Sequence, residues 1–201
     1  MFMKITKRMK QIIVGKILGD AHLESFNGKT FRLKIEHSYM QKEYVDWLYE
    51  LLKEFCSTPP TIKERKIGVR VQKNYFFQTK SLWNFKFFGD QFYKDKKKVV
   101  PKRIVRKLLT PLSVAVWFMD DGSVKSNETN GRIFNTQGFT KEESEILSNA
   151  LNSNFGLHTR LRQQKEGFQI FVPAGDSKTF YDLIHKFVLP TFYYKLPKIK
   201  S

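Results

Sequence analysis

Alternation of apolar and polar residues divides the chain into segments with the periods of helices and strands. Apolar residues at helical spacing predict a first helix over residues 7–20, and strict alternation around Leu33 predicts a half-buried strand. The same patterns predict a helix over 41–56, strands over 61–66 and 69–79, and a helix over 81–93. The chain is therefore expected to mix helices and strands.

The order of predicted elements starts again after a basic run at 94–98 and Pro101. The second series is a helix over 112–120, strands within 123–138, a helix over 140–155, strands over 158–164 and 168–172, and a helix over 177–188. This order predicts an internal duplication of about one hundred residues. The expected halves are residues 1–100 and 101–201.

The charge of the chain indicates a polyanionic partner. The 36 Lys and Arg against 19 Asp and Glu give a net charge of +17, which would repel itself without such a partner. Nucleic acid is the leading candidate. An acidic membrane surface is the rival, but no apolar run approaches the roughly 18 residues that span a bilayer. We expect no membrane partner and an intracellular protein.

The cysteine and histidine residues exclude two common kinds of site. Cys56 is the only cysteine, so one chain can form neither a disulfide nor a cysteine-based zinc site. The four histidines show no zinc-ligand spacing and are expected in the core or on the surface. They are His22, His37, His158 and His185.

Two apolar segments carry the candidate chemistry. The segment 14–21, VGKILGDA, aligns without a gap with the segment 115–122, AVWFMDDG. Asp20 and Asp121 coincide in this alignment, and a small residue follows each. One apolar helix ending in Asp-Gly is an ordinary turn signal, but two in register indicate a paired acidic site.

These motifs resemble those of the LAGLIDADG homing endonucleases, specifically the single-chain, two-motif, intron-encoded members. The second copy, SVAVWFMDDG at 113–122, is preceded by LTPL at 109–112 and followed by NTQGFT at 135–140. The first copy ends in LGDA at 18–21, and Lys16 replaces an apolar residue of the family pattern. The resemblance extends over nearly the whole chain.

The resemblance implies an α+β fold of two pseudosymmetric αββαββα repeats in a monomer. The LAGLIDADG helices would lie at the interface, where Gly15, Gly19 and Ala115 permit close backbone approach. The antiparallel sheets would form a saddle that binds DNA.

The resemblance also implies a metal-dependent site at the ends of the motif helices. A helix C-terminus is unfavourable for carboxylates, so Asp20 and Asp121 need cations to offset their charge. Mg²⁺, with Mn²⁺ as a substitute, would answer this need and activate water. The backbone carbonyls of Gly19 and Asp120 would complete the ligands, and the side chain of Asp120 is expected to face elsewhere.

Two lysines match the family's active-site lysines. Lys98 and Lys195 occupy corresponding positions near the ends of the two repeats and could stabilise charge at the phosphates. The alternative is that both belong to solvated basic runs.

Basic and polar residues on the predicted strands are expected to contact DNA bases or phosphates. Each could equally belong to a solvated strand face. They are Arg32, Lys34, Lys63, Arg65, Arg70 and Gln72 in the first half, and Lys125, Arg132, Asn135, Gln137, Arg160, Arg162 and Gln164 in the second.

The expected function is that of a site-specific, double-strand DNA homing endonuclease. It would hydrolyse phosphodiester bonds with Mg²⁺ at a long asymmetric site and promote the mobility of its host intron. One alternative is an intron-encoded RNA maturase, whose partner would be intron RNA. The other is a non-cleaving DNA-binding regulator on the same fold, which would not require both aspartates.

Overall fold

A four-stranded antiparallel sheet organises the first of two compact units in a computed structural model. The structure describes residues 4–68, 70–126 and 128–199. The first unit contains the chain through Lys10 and Asp20–Asp90, and the second contains Gln11–Gly19 and the chain from Gln91 onward. The packing units thus differ from the two halves expected in the sequence, and the boundary after residue 100 stays a prediction.

The elements up to residue 92 follow the predicted order. Their bounds are α1 Lys7–Leu18, β1 His22–Glu24, β2 Arg32–Ser38, α2 Lys42–Leu52, β3 Thr61–Ile67, β4 Arg70–Gln78 and α3 Lys86–Phe92. The strands pair in the order β1-β2-β4-β3. Leu33 and Ile35 of β2 are fully buried, as are Val45 and Leu48 of α2, so the sheet and this helix form the core of the unit.

The elements from residue 93 onward build a second sheet of the same topology. They are β5 Tyr93–Lys94, β6 Lys97–Lys98, α4 Val105–Leu108, α5 Pro111–Asp121, β7 Gly122–Ser126, β8 Thr129–Phe134, α6 Lys141–Phe155, β9 Arg160–Gln164, β10 Gly167–Val172 and α7 Ser177–Ile184. The four longer strands pair in the order β7-β8-β10-β9. An aromatic cluster fills this core, with the rings of Trp117 and Phe134 4.2 Å apart and those of Phe118 and Phe180 5.0 Å apart.

Sequence signals account for the beginnings of the best-defined helices in the second unit. Thr110 caps α5 through Ser113, and Pro111 occupies the first turn. Thr140 and Glu143 form a reciprocal capping box at the start of α6. Gly156, with φ of 65°, ends α6 in the left-handed conformation.

The predicted helix over 81–93 begins later than expected. Leu82 is extended and exchanges two backbone hydrogen bonds with Phe31, at 2.9 and 3.1 Å. A 3₁₀ turn, Trp83–Phe85, therefore precedes α3. Similarly, the predicted helix over 41–56 ends at Leu52 and continues as the 3₁₀ turn Lys53–Phe55.

The short hairpin β5–β6 was not predicted from the sequence. Asp95 and Lys96 both have positive φ, 48° and 62°, which produces a tight turn within the basic run. Lys98 is the last residue of this hairpin.

In the described part of the chain, no helix is long and apolar enough to cross a bilayer.

Cys56 should react slowly with thiol reagents. The side chain is buried, and burial raises the pKa of its thiol to about 11 from 9.0. At pH 8 the thiolate population should be about 100-fold smaller than for a thiol of ordinary pKa. Iodoacetamide labelling followed by mass spectrometry should show rapid modification only in denaturant. Equal rates in the native and unfolded protein would contradict this assignment.

Candidate active site and DNA-contacting faces

The C-terminal part of α1 and helix α5 approach closely within the second unit. A Cβ atom on Gly15 would lie 2.5 Å from the carbonyl oxygen of Ser113 and 2.7 Å from Cβ of Val116. A larger side chain would force the helix backbones apart. The role expected for Gly15 in close helix contact is thus visible in the structure.

A buried ion pair joins the same two helices. Lys16 Nζ lies 2.7 Å from Oδ2 of Asp120 and donates to Oδ1 at 2.8 Å, and both side chains are 0% exposed. Gly19 leaves room for this carboxylate, because a Cβ there would lie 2.4 Å from Asp120 Oδ2. The departure of Lys16 from the apolar family pattern is therefore compensated by Asp120, whose side chain is held in the helix interface.

The two predicted lysines donate to corresponding backbone carbonyls. Lys98 Nζ donates to the carbonyl oxygen of Gly19 at 2.7 Å. Lys195 Nζ donates to the carbonyl oxygens of Met119 at 2.6 Å and Asp120 at 3.2 Å. Carbonyls at a helix C-terminus lack intrahelical partners and carry partial negative charge, so they attract ammonium groups.

The two lysines lie on different secondary-structure elements. Lys98 is the last residue of β6, and the next residue, Val99, donates its N–H to the carbonyl oxygen of Phe92 at 2.7 Å. Lys195 ends a 3₁₀ segment, Pro190–Lys195, and is only 8% exposed. Lys195 is thus not part of a solvated run, and Lys98 is half-buried at the end of one.

Asp20 follows the first motif helix and has a neighbour that the sequence did not identify. Its side chain is 45% exposed, and its Oδ2 lies 3.6 Å from Nδ1 of His37. His37 is buried, with its ring centroid 5.1 Å from that of Tyr44. The inward position of His37 follows from strand alternation, since Leu33 and Ile35 share its side of β2.

Asp121, the last residue of α5, is tied by its backbone to the end of β8. Its carbonyl oxygen accepts a hydrogen bond from the backbone N–H of Asn135 at 2.9 Å and another from Asn135 Nδ2 at 2.8 Å. Asn135 Oδ1 in turn accepts from Gln169 Nε2 at 2.8 Å. The Asn135 amide, expected at a base edge, is therefore engaged within the protein.

The predicted basic residues of the first sheet share one face. Directly paired residues of antiparallel strands lie on the same side of a sheet. The pairs on this face include Glu24 with Arg32, Lys34 with Gln78, Lys63 with Asn74, and Arg65 with Gln72. The side chain of Arg70 lies outside the described residues.

Two glutamates hold these basic side chains. Arg32 lies 2.5 Å from Glu24 and Lys34 lies 3.4 Å from it, while Lys63 and Arg65 lie 3.9 and 3.4 Å from Glu36. Partial burial of Glu24 acts to raise its pKa, but the hydrogen bond and charge of Arg32 and the charge of Lys34 outweigh this effect, and the pKa is lowered. This face therefore presents basic side chains whose positive charge is partly neutralised by Glu24 and Glu36.

The exposed face of the second sheet has a different charge pattern. Its paired positions include Phe171 with Arg160, Gln169 with Arg162, and Gly167 with Gln164. Lys125 and Arg160 both approach the ring of Phe171, at 5.1 and 5.4 Å from its centroid. Gln137 lies beyond the end of β8 and is half-buried.

Arg132 does not belong to this exposed face. Its direct partner in β10 is Val172, a buried residue, and Arg132 itself is only 3% exposed. Its Nε donates to the carbonyl oxygen of Lys195 at 2.6 Å, and its guanidinium also donates to the carbonyl of Leu196. Burial lowers the pKa of Arg132. The structure thus corrects the prediction of a DNA contact, because Arg132 instead fixes the segment that carries Lys195.

Comparison with known proteins assigns the class of this fold and site. The model of the LAGLIDADG DNA endonuclease family matches residues 10–180. The chain therefore belongs to the LAGLIDADG DNA endonuclease family, which confirms the expected α+β fold with antiparallel sheets.

Two relatives match this chain over nearly its whole length. The chain is 33% identical over 199 residues to probable intron-encoded endonuclease 1 of Wickerhamomyces canadensis, covering 96% of this chain and 85% of the relative. It is also similar to the solved structure of the homing endonuclease I-WcaI bound to its DNA recognition sequence. The TM-score is 0.93 and the identity 30%, with 99% of this chain and 90% of that chain covered.

A more distant relative is a maturase. The cytochrome b mRNA maturase bI2 of Saccharomyces cerevisiae is 26% identical over 199 residues, covering 92% of this chain and 46% of that protein.

Proposed function

We propose that this protein is an intracellular, monomeric homing endonuclease that hydrolyses phosphodiester bonds at a long asymmetric duplex site and so promotes the mobility of its host intron. The observation that carries the proposal is the matched chemistry at the two motif-helix ends. At each end, an ammonium group contacts the carbonyl that immediately precedes the aligned aspartate. Such matched centres suit a reaction that cuts both strands of a duplex.

The donor chemistry at these ends fits a hard divalent cation. Asp20 and Asp121 supply carboxylates, and the carbonyls of Gly19 and Asp120 supply neutral oxygens, which are the ligands that Mg²⁺ and Mn²⁺ prefer. A bound metal would lower the pKa of water and neutralise phosphate charge. The protein's part is to fix the carboxylates, since a helix C-terminus does not by itself stabilise them.

Lys98 and Lys195 are proposed to stabilise negative charge at the scissile phosphates. Each side chain donates to the carbonyl that precedes a proposed metal ligand, Gly19 for Lys98 and Asp120 for Lys195. Each ammonium group therefore lies close to one of the two aspartates in sequence and adds positive charge at that helix end. Each ammonium group would supply positive charge to a phosphate held beside the aspartate of its own helix end.

The exposed sheet faces are proposed to bind DNA. The residues assigned to them are Arg32, Lys34, Lys63, Arg65, Arg70, Gln72, Lys125, Gln137, Arg160, Arg162 and Gln164. Glu24 and Glu36 hold part of this set in fixed directions before DNA arrives. The exchange of these ion pairs for phosphates or base edges gives both affinity and orientation.

The RNA maturase remains the second candidate, because a maturase is among the relatives. It would use the same positive charge for intron RNA but would not need Asp20 and Asp121. The test is to expose a randomised duplex library to the protein with Mg²⁺ and to sequence the cleaved ends. A single enriched long site supports the endonuclease. Binding of structured RNA without cleavage of any duplex favours the maturase.

Replacing Lys98 or Lys195 by methionine should slow cleavage by roughly 10²–10³-fold, because each variant loses a cation beside one reacting phosphate. DNA affinity measured with Ca²⁺ should change much less, since few phosphate contacts are lost. Single-turnover cleavage of the selected site measures the first quantity and fluorescence anisotropy the second.

Lys97→Met is the matched control for Lys98→Met. Lys97 precedes Lys98 in the same short strand, but its side chain is exposed. It should retain the unaltered cleavage rate at saturation. Equal losses at Lys97 and Lys98 would assign both to general electrostatic attraction and remove the proposed role.

A further inference from the structure

The amide network behind Asp121 connects a proposed metal ligand to the DNA-facing surface of the second sheet. It consists of Asp121, Asn135 and Gln169, with Ser123 at its side. All four residues belong to the second unit. None of the roles proposed above for Asp121 depends on the other members.

Asn135 acts as a cap for the second motif helix. The carbonyl of Asp121 is among the last four of α5 and has no intrahelical N–H partner. Asn135 supplies two donors to this one oxygen, at 2.9 and 2.8 Å, and its Nδ2 also approaches Ser123 Oγ at 3.3 Å. These bonds fix the peptide group between Asp121 and Gly122.

Gln169 fixes the orientation of that cap. Its Nε2 donates to Asn135 Oδ1 at 2.8 Å, so the Asn135 amide has its oxygen toward Gln169 and its nitrogen toward Asp121. A rotated Asn135 amide would lose both contacts. The direction of Gln169 therefore determines how well Asn135 holds the helix end.

Gln169 also lies where DNA is proposed to bind. Its paired residue in β9 is Arg162, which is exposed, so both point to the same side of the sheet. Within the described chain, the second Nε2 hydrogen and Oε1 of Gln169 have no side-chain partner. A glutamine amide can pair with an adenine edge through one donor and one acceptor.

We infer that Asn135 and Gln169 are positioning residues that couple recognition of a base, by Gln169, to the placement of Asp121. This inference rests on the proposed DNA cleavage. A correct base would hold the Gln169 amide in the direction that supports Asn135, and an incorrect base would compete for the same donor. Base recognition would then affect the rate of cleavage as well as the affinity.

The test uses the intact protein and the duplex site selected from the library. Asn135→Ala should lower the saturating single-turnover rate by roughly 10–100-fold, since small displacements of a catalytic group have effects of this size. Its DNA affinity in Ca²⁺ should stay within about threefold, because no proposed DNA contact is removed. The Mg²⁺ concentration for half-maximal rate should rise.

Gln169→Met keeps the side-chain length and removes the amide. It should lower the saturating rate less than Asn135→Ala and should reduce discrimination at one base pair. Gln163→Met is the control, because Gln163 is an exposed glutamine of the same strand, β9, that lies on the opposite face and is not among the proposed DNA contacts. It should leave the saturating rate unchanged.

A double-mutant cycle shows whether Asn135 and Gln169 affect the cleavage rate through one shared contact with Asp121 or independently of each other. If both residues act through Asp121, the rate of Asn135→Ala/Gln169→Met should equal that of Asn135→Ala alone. Multiplicative losses would overturn the coupling, as would a normal saturating rate for Asn135→Ala. Thermal unfolding of each variant shows whether it is folded, and Gln169→Met still tests the path if Asn135→Ala is not. If the unaltered protein cleaves no duplex, the proposed function itself fails, whereas normal cleavage by all variants overturns only this inference.

Discussion

Replacing Asp20 or Asp121 by asparagine is expected to reduce DNA cleavage by at least about 10³-fold, the scale of a lost charge-stabilising catalytic group. Asparagine keeps the shape of each side chain but removes the negative charge that would hold a divalent cation. Affinity for the selected duplex in a buffer without metal should rise slightly or stay the same, because each change also removes a negative charge near the phosphates. Single-turnover cleavage and anisotropy binding on the same duplex measure the two effects.

Asp46→Asn is the control for this prediction. Asp46 is half-exposed on α2 and pairs locally with Lys42, away from the motif residues in sequence. It should retain full cleavage. If Asp20→Asn and Asp121→Asn both cleave at the unaltered rate, the metal-binding assignment is wrong.

Replacing Lys16 by methionine is expected to destabilise the protein by about 3–5 kcal/mol, because the Asp120 carboxylate would stay buried without its cation. Both side chains of this pair are 0% exposed, so solvent does not screen the loss. A loss of this size corresponds to a fall in Tm of roughly 6–20 °C for a chain of this length. Urea unfolding followed by tryptophan fluorescence and thermal unfolding followed by circular dichroism measure it.

The double variant Lys16→Met/Asp120→Leu should recover most of that stability. It removes both charges and fills the helix interface with apolar groups, which is often neutral or stabilising for a buried ion pair. Lys7→Met, in the exposed first turn of the same helix, should change stability by less than about 0.5 kcal/mol. A double variant as unstable as Lys16→Met would show that the ion pair is not the source of the loss.

The sequence contained most of the information for the fold and the motif helices. Apolar periodicity located the long helices and the strands, and the gapless alignment identified Asp20 and Asp121. Those signals are local or repeat at a fixed interval. The ion pair between Lys16 and Asp120 could not be predicted in the same way, because it depends on how two distant helices meet.

Strand alternation could have prevented one error. Arg132 and Asn135 are three positions apart, so they cannot both point to one face of a regular strand. The pattern alone did not determine which one was buried. The short α4 and the β5–β6 hairpin were missed because elements of two to four residues are too short to show apolar periodicity.

The hydrogen bond between Asn135 and Gln169 could not be predicted from the sequence either. Asn135 directly follows β8 and Gln169 lies in β10, so their contact follows from the pairing of these two strands. Their amide groups could equally have faced DNA, as was expected for Asn135. Only the position of the Asp121 carbonyl shows what the Asn135 amide binds.

Anomalous X-ray diffraction from crystals of the protein with its selected duplex and Mn²⁺ tests the central claim most directly. We expect anomalous peaks within about 2.0–2.6 Å of carboxylate oxygens of Asp20 and Asp121, each close to a scissile phosphate. The Asp120 carboxylate should remain on Lys16. Peaks at neither aspartate, in a complex that has the duplex bound, would contradict the proposal that Asp20 and Asp121 are metal ligands.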